Sequence, residues 1–218
     1  MRFAKSERAE LCDALEHAGP DAPTLCGDWT THDLAAHLWI RETDPLGAPG
    51  IVAKPLAGLT ERRMAEVKAR WSFEELVERL RRGPARLSVF AFPGVDEEAN
   101  TVEFFVHQED VRRAGHSPAE PRELPDDVED WMWRRMKLMG RALFRRAEVG
   151  IVLERSIGES SAEEPETVRV MAGGEIVTII GKPSELMLYA YGRQAHSHVR
   201  MVGDPAALAR LATTDLSI

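Results

Sequence analysis

The sequence predicts an α+β protein, in which a bundle of helices is followed by a small domain that contains both strands and helices. Up to about residue 147, apolar residues recur at the spacing of one helix face, whereas from Gly150 onward they alternate with polar residues as in half-buried strands. The dipeptide Gly173-Gly174 separates two alternating segments and is a hairpin signal. We therefore expect a helical domain over residues 1–148 and an α+β domain over residues 149–218.

The first two helices are marked by residues typical of helix ends. Apolar spacing predicts a helix over Arg2–His17, which the following Gly19-Pro20 ends. A second helix is expected to begin after Thr30, because threonine is a good N-cap and Asp33 follows at the position that completes a capping box.

Further helices are predicted along the rest of the first domain. Residues 60–69 and 72–82 are helical in pattern, and the second of these segments opens with the capping box of Ser72 and Glu75. Residues 85–99 have no regular pattern. Two longer helices follow, over Asn100–Gly115 and from Asp126 to about residue 147.

The C-terminal part has the spacing of a small sheet with flanking helices. Helices are expected after Pro183 and after Asp204. Strands are predicted over residues 150–156, 167–172, 175–180 and 197–202.

Composition and charge limit the kinds of partner. A net charge of −8 with a pI near 5.5 argues against a general nucleic-acid binder. The sequence has two cysteines without metal-type spacing, no signal peptide and no apolar stretch long enough to span a bilayer. We therefore expect a cytoplasmic protein without a membrane partner.

The helix Asn100–Gly115 carries the best candidate for chemistry. Glu103 and His107 are four residues apart and therefore share one helix face, which Asp110 continues. Half-buried charges of this kind are costly unless they are paired, and a divalent metal is the simplest partner. His37 on the second helix supplies a third ligand. Three protein ligands leave an open position, as catalytic zinc requires, and Asp33 or Asp110 is expected to accept a hydrogen bond from an imidazole.

Three motifs carry a resemblance to a known family. Residues 28–38 (DWTTHDLAAHL) resemble the W-[ST]-x-x-D-[LV]-x-x-H-[LV] signature of the DinB-like superfamily, and Glu103/His107 match its Glu-x-x-x-His pair. Residues 181–193 (GKPSELMLYAYGR) are similar to the segment G-x-P-x-E-L-x-L-x-x-x-G-R of the mycothiol-dependent maleylpyruvate isomerases of actinobacteria. With all three motifs in order, the sequence is similar to that family over nearly its whole length.

The resemblance implies a DinB-like four-helix bundle that binds a metal, usually zinc, through His37, Glu103 and His107. It also implies mycothiol as cosubstrate, used to isomerise a small electrophile or to form an S-conjugate with it. The resemblance further places Arg193 at a functional position. Arginine holds carboxylates in a bidentate fork, so we expect either a substrate-binding role for Arg193 or a helix-end cation.

Two other functions stay open: a metal-stabilised protein that binds a thiol or small ligand without turnover, and a hydrolase that uses zinc-bound water. An oligomer is also compatible with the sequence. The loop Asp44–Thr60 is expected to be either a lid over the site or a simple connector.

Four further residues are minor candidates for ligands or nucleophiles. His196 and His198 are expected on one face of a strand and form a possible metal pair. Cys12 is expected to be a small core residue, and Cys26 a loop thiol without an evident base beside it.

Overall fold

The computed structural model describes residues 3–44, 57–83, 95–115, 119–156 and 165–216. The chain divides into two compact units, residues 1–120 and 121–218. Within the described residues, eight α-helices and one four-stranded sheet agree with the predicted α+β class, and helices precede the sheet in the chain. The four-helix arrangement stays a prediction; the described residues of the first unit contain five helices.

The helices of the first unit pack around one apolar core. They are α1 (Phe3–Ala18), α2 (Thr31–Thr43), α3 (Ala57–Arg70), α4 (Phe73–Arg82) and α5 (Val95–Arg112). Helix α1 packs against α4 and α5, while α2 packs against α3 and α4. Leucines from α1, α2 and α4 fill the space between them, with Leu15, Leu34 and Leu76 fully buried. Helix α2, which carries His37, is thus packed into this core.

Both predicted capping boxes are formed. The side chains of Thr30 and Ser72 accept hydrogen bonds from the backbone of the third helical residue, and Asp33 and Glu75 bind back to the cap. Helix α5 begins at Val95, so the expectation of an irregular segment as far as residue 99 is wrong there. Residues 95–99 contain neither glycine nor proline, and the breaking pair Pro93-Gly94 comes directly before them.

In its described residues, the second unit contains a four-stranded sheet and three α-helices. Its elements are α6 (Asp126–Leu143), β1 (Gly150–Arg155), β2 (Thr167–Met171), β3 (Ile176–Gly181), α7 (Pro183–Ala190), β4 (Arg200–Gly203) and α8 (Pro205–Ala212). The strand order is β2-β1-β3-β4. Strand β1 pairs antiparallel with β2 and parallel with β3, and β3 pairs antiparallel with β4.

The hairpin predicted at Gly173-Gly174 is wrong, because β1 lies between β2 and β3. The chain leaves the edge strand β2, crosses the start of β1 and enters β3 on its other side. The crossing is tight: a Cβ on Gly173 would overlap the amide nitrogen of Gly150 and lie 2.9 Å from its Cα. Gly173 is therefore needed for close backbone approach, one of the roles of glycine within sheets.

By its contacts, helix α6 groups with the second compact unit, whereas the sequence analysis placed it in the first domain; the domain boundary at residue 148 stays a prediction. Its contacts give the reason, since it packs against α7 and β2. The carboxylate of Glu129 accepts hydrogen bonds from the backbone N and the Oγ of Ser184, at 2.9 and 2.7 Å. The carboxylate of Glu129 on α6 thus binds the first turn of α7, where a negative charge is favourable.

None of the helices in the described parts of the chain combines the length and the apolar character needed to cross a membrane.

Replacing Gly173 with alanine tests the crossing over β1. The new methyl group has no space, so Gly173→Ala is expected to destabilise the protein by about 1–3 kcal/mol through forced backbone shifts. Gly174→Ala is the matched control, because nothing lies within 4 Å of a Cβ at that position. Urea unfolding of both variants measures the difference, and equal stability of the two would contradict the tight crossing.

Candidate metal centre

His37, Glu103 and His107 converge in the first unit. Nε2 of His37 lies 3.5 Å from Oε1 of Glu103, and Nε2 of His107 lies 3.2 Å from the same oxygen. The two imidazole rings meet edge to face, with their centres 5.3 Å apart. The structure therefore brings together the three side chains singled out in the sequence, and one ligand atom from each lies within 4.8 Å of the others.

Local structure explains the convergence. The capping box at Thr30 fixes where α2 begins, and His37 then falls on the buried side of the helix. Glu103 and His107 lie one turn apart on α5, so both reach the same space. Their role as metal ligands stays a prediction, but no rearrangement of the two helices is needed to bring the atoms together.

Burial and charge set the protonation of the three groups. Burial lowers the pKa of His37, which favours its neutral, ligand-competent form. Burial alone would raise the pKa of Glu103, but hydrogen bonds from His107 and His37 and the charge of Arg41 hold that pKa well below its ordinary value. For His107, hydrogen bonds to Asp110, Cys26 and Glu103 outweigh burial and raise the pKa well above its ordinary value.

Asp110 orients the second imidazole. Its side chain is fully buried, and its Oδ2 lies 2.8 Å from Nδ1 of His107. Because a carboxylate only accepts hydrogen bonds, Nδ1 is the donor, which leaves Nε2 directed toward Glu103. Of the two aspartates proposed for this role, Asp33 instead closes the capping box and binds Lys68. Of these two aspartates, only Asp110 contacts an imidazole of the centre.

Cys26 lies directly beside this pair, so the expectation of a thiol without a neighbouring base is wrong. Its Sγ donates to Oδ2 of Asp110 at 3.1 Å and lies 3.7 Å from Nδ1 of His107. The loop that contains Cys26 is attached to α5 by a backbone hydrogen bond of 3.2 Å, which Leu25 N donates to Asp110 O. Cys26, His107 and Asp110 form a second group with ligand atoms within 4.8 Å of one another.

Arg41 was also missed in the sequence analysis. Its Nε lies 3.3 Å from Oε1 of Glu103, and it donates a second hydrogen bond to the side chain of Asn100. Asn100 in turn donates to Oε1 of Glu42 at 3.2 Å, and Arg8 binds both oxygens of Glu42. The signal was available, because Arg41 follows His37 by one helical turn and therefore shares its face.

The other candidates lie elsewhere. Nη1 of Arg193, in the second unit, donates to the carbonyl of Tyr191 at 2.6 Å. His196 lies in a short 3₁₀ turn and His198 precedes β4, so the two do not share a strand face. Within the described residues, neither histidine joins a group of three possible metal ligands. Burial raises the pKa of Cys12 to about 12, as expected of an inert core thiol.

The proposed loop Asp44–Thr60 cannot be compared with the structure over most of its length. Residues 45–56 lie outside the described residues, and residues 57–60 form the first turn of α3.

The donor set fits a divalent metal. Two imidazole nitrogens and one carboxylate oxygen are ordinary zinc ligands, and three of them leave room for an exogenous ligand. The side chain of Glu103 is 23% exposed, so the centre is reachable from solvent. In the described part of the chain, Nδ1 of His37 is buried without a hydrogen-bond partner.

A family model described as the mycothiol maleylpyruvate isomerase N-terminal domain matches residues 2–149. The chain belongs to this family. The match covers every residue of the candidate centre, and family membership implies metal binding and involvement of mycothiol. Searches of curated proteins and of solved structures found no significant match.

Asp110→Asn tests the orientation of His107. The substitution keeps the shape of the side chain but removes the carboxylate that fixes the imidazole, so metal affinity is expected to fall by about 10–100-fold. Asp13→Asn removes the same charge from an exposed position on α1 and is the control. Zinc affinity is measured by competition with a chromogenic chelator. Equal affinity of both variants, with native circular dichroism, would show that Asp110 does not support the centre.

Proposed function

We propose that this protein is a zinc-dependent enzyme that uses mycothiol to isomerise a small electrophilic substrate or to form an S-conjugate with it. The observation that carries the proposal is the convergence of His37, Glu103 and His107 on one point in a chain of the mycothiol maleylpyruvate isomerase family. Three protein ligands leave a coordination position open, so the proposed metal would form a reaction centre rather than a structural cross-link.

The metal's contribution is to lower the pKa of a bound thiol, so that a thiolate is available near neutral pH. The chain supplies the rest. His37 is held neutral by burial, Glu103 is held ionised by its hydrogen bonds, and Asp110 keeps Nε2 of His107 directed inward. Arg41 binds the carboxylate of Glu103 and limits its rotation.

The reaction itself needs no redox partner. The thiolate sulfur adds to a C=C bond activated by a carbonyl, which forms a C–S bond and moves an electron pair onto the carbonyl oxygen. Rotation about the resulting single bond and expulsion of the thiolate restore the alkene in its other geometry. If a proton is taken up instead and the sulfur stays attached, the product is an S-conjugate.

Thiol-dependent turnover is the direct test. Zinc-loaded protein is expected to convert an activated cis-alkene, such as maleylpyruvate, only when a low-molecular-weight thiol is present, and with mycothiol as the preferred thiol. His37→Ala and His107→Ala are expected to lose both zinc and turnover, while Asp13→Asn retains both.

Other outcomes would reject the proposal in favour of a named alternative. Hydrolysis without thiol would indicate a zinc-water hydrolase. Tight binding of mycothiol without product, across a panel of electrophiles, would indicate a binding protein.

We also propose that Arg193 binds a substrate carboxylate. The family resemblance supports this role, whereas the hydrogen bond from Nη1 to the Tyr191 carbonyl favours the helix-end role. Arg193→Lys is expected to raise KM for an anionic substrate at least about tenfold, because lysine lacks the bidentate fork. KM is measured with an anionic and an uncharged electrophile. A fall in melting temperature with both KM values unchanged would assign Arg193 to the helix end instead.

A further inference from the structure

A cavity of about 400 Å³ lies beside the start of α2. On the α3 side, the lining residues follow Glu61 at three, four and seven positions, which places all of them on one face of that helix. A cavity of this volume accommodates a small molecule. The lining consists of Trp29, Asp33, Glu61, Met64, Ala65 and Lys68.

The charges of the lining disfavour a small dianion. Lys68 is the one cation of the six, and its Nζ already donates to Oδ1 of Asp33 at 2.5 Å. Hydrogen bonds from Lys68 and Thr30 outweigh burial and lower the pKa of Asp33, so its carboxylate stays ionised. Glu61 adds a second acid. A dicarboxylate substrate would meet net negative charge here.

The same lining suits a ring that carries hydroxyl groups. The indole of Trp29 offers an apolar face for the C–H side of such a ring, as aromatic side chains do for amphipathic ligands. Asp33 and Glu61 offer carboxylate oxygens that accept hydrogen bonds from hydroxyls, and Lys68 offers a donor.

The cavity is close to the metal centre through Trp29. The indole packs against the imidazole of His37, with ring centres 5.0 Å apart. Asp33 and His37 are also one turn apart on the same helix. A molecule in the cavity is therefore separated from a proposed metal ligand by a single aromatic ring.

We propose that this cavity binds the hydroxyl-rich part of the low-molecular-weight thiol, the sugar and cyclitol rings of mycothiol. The inference rests on the proposed function and deepens it, because it assigns the sugar and cyclitol rings of the cosubstrate to a site separate from that of the electrophile. Recognition of these rings would let the enzyme distinguish mycothiol from simple thiols such as N-acetylcysteine.

Filling the cavity is the test, and α3 offers a matched pair. Ala65 and Ala69 are both exposed alanines of this helix, and of the two only Ala65 lines the cavity. Ala65→Leu and Ala69→Leu therefore add the same side chain inside and outside the cavity. Binding of the thiol-free pseudodisaccharide, glucosaminyl inositol, is measured by calorimetry, together with zinc content and KM for mycothiol.

Ala65→Leu is expected to weaken binding of glucosaminyl inositol and to raise KM for mycothiol by at least about tenfold each. Zinc content and the rate with N-acetylcysteine as thiol stay unchanged, and Ala69→Leu behaves as wild type. No binding of glucosaminyl inositol to the wild type, or unchanged binding in Ala65→Leu, would overturn the inference. Weaker pseudodisaccharide binding with an unchanged KM for mycothiol would also overturn it, since the cavity would then serve a free sugar.

Failure of the proposed function gives a different pattern. In that case the wild type shows no thiol-dependent turnover, even though glucosaminyl inositol binding still depends on Ala65.

Discussion

The first unit depends on one arrangement: a carboxylate oxygen of Glu103 held between two buried imidazoles. Placing these groups inside a helical core costs free energy unless each finds a partner. His37 and His107 approach the oxygen from two helices, and Arg41 approaches it from the helix that carries His37. The packing of α2 and α5 in this unit must therefore satisfy both the apolar core and this polar centre.

The hydrogen bonds and ion pairs that offset this cost extend well beyond the centre. On one side, Arg41 is linked through Asn100 to Glu42, and Arg8 holds Glu42 with two hydrogen bonds of 2.7 and 2.6 Å. On the other side, Asp110 joins His107 to the thiol of Cys26. Buried ionic networks rarely add net stability compared with apolar packing. A network that fixes the orientation of two imidazoles and a carboxylate would preorganise the proposed metal site.

What the sequence could predict follows from the range of each interaction. The capping boxes and the Glu103/His107 pair are local, because spacings of three and four residues fix which side chains meet on a helix. Cys26 and Asp110 are 84 residues apart, and only the tertiary fold brings them together. The crossing at Gly173 was misread for a related reason. Paired glycines signal a tight turn between neighbours in a sheet, but the strand order that inserts β1 is a long-range property.

X-ray absorption at the zinc edge tests the central claim most directly. Zinc-loaded protein without added thiol is predicted to show only nitrogen and oxygen neighbours, with the multiple scattering of two imidazoles, and one sulfur neighbour is predicted to appear when mycothiol is added. The contradicting result is a sulfur neighbour before any thiol is added, together with scattering from only one imidazole. It would place Cys26 among the ligands in place of a histidine.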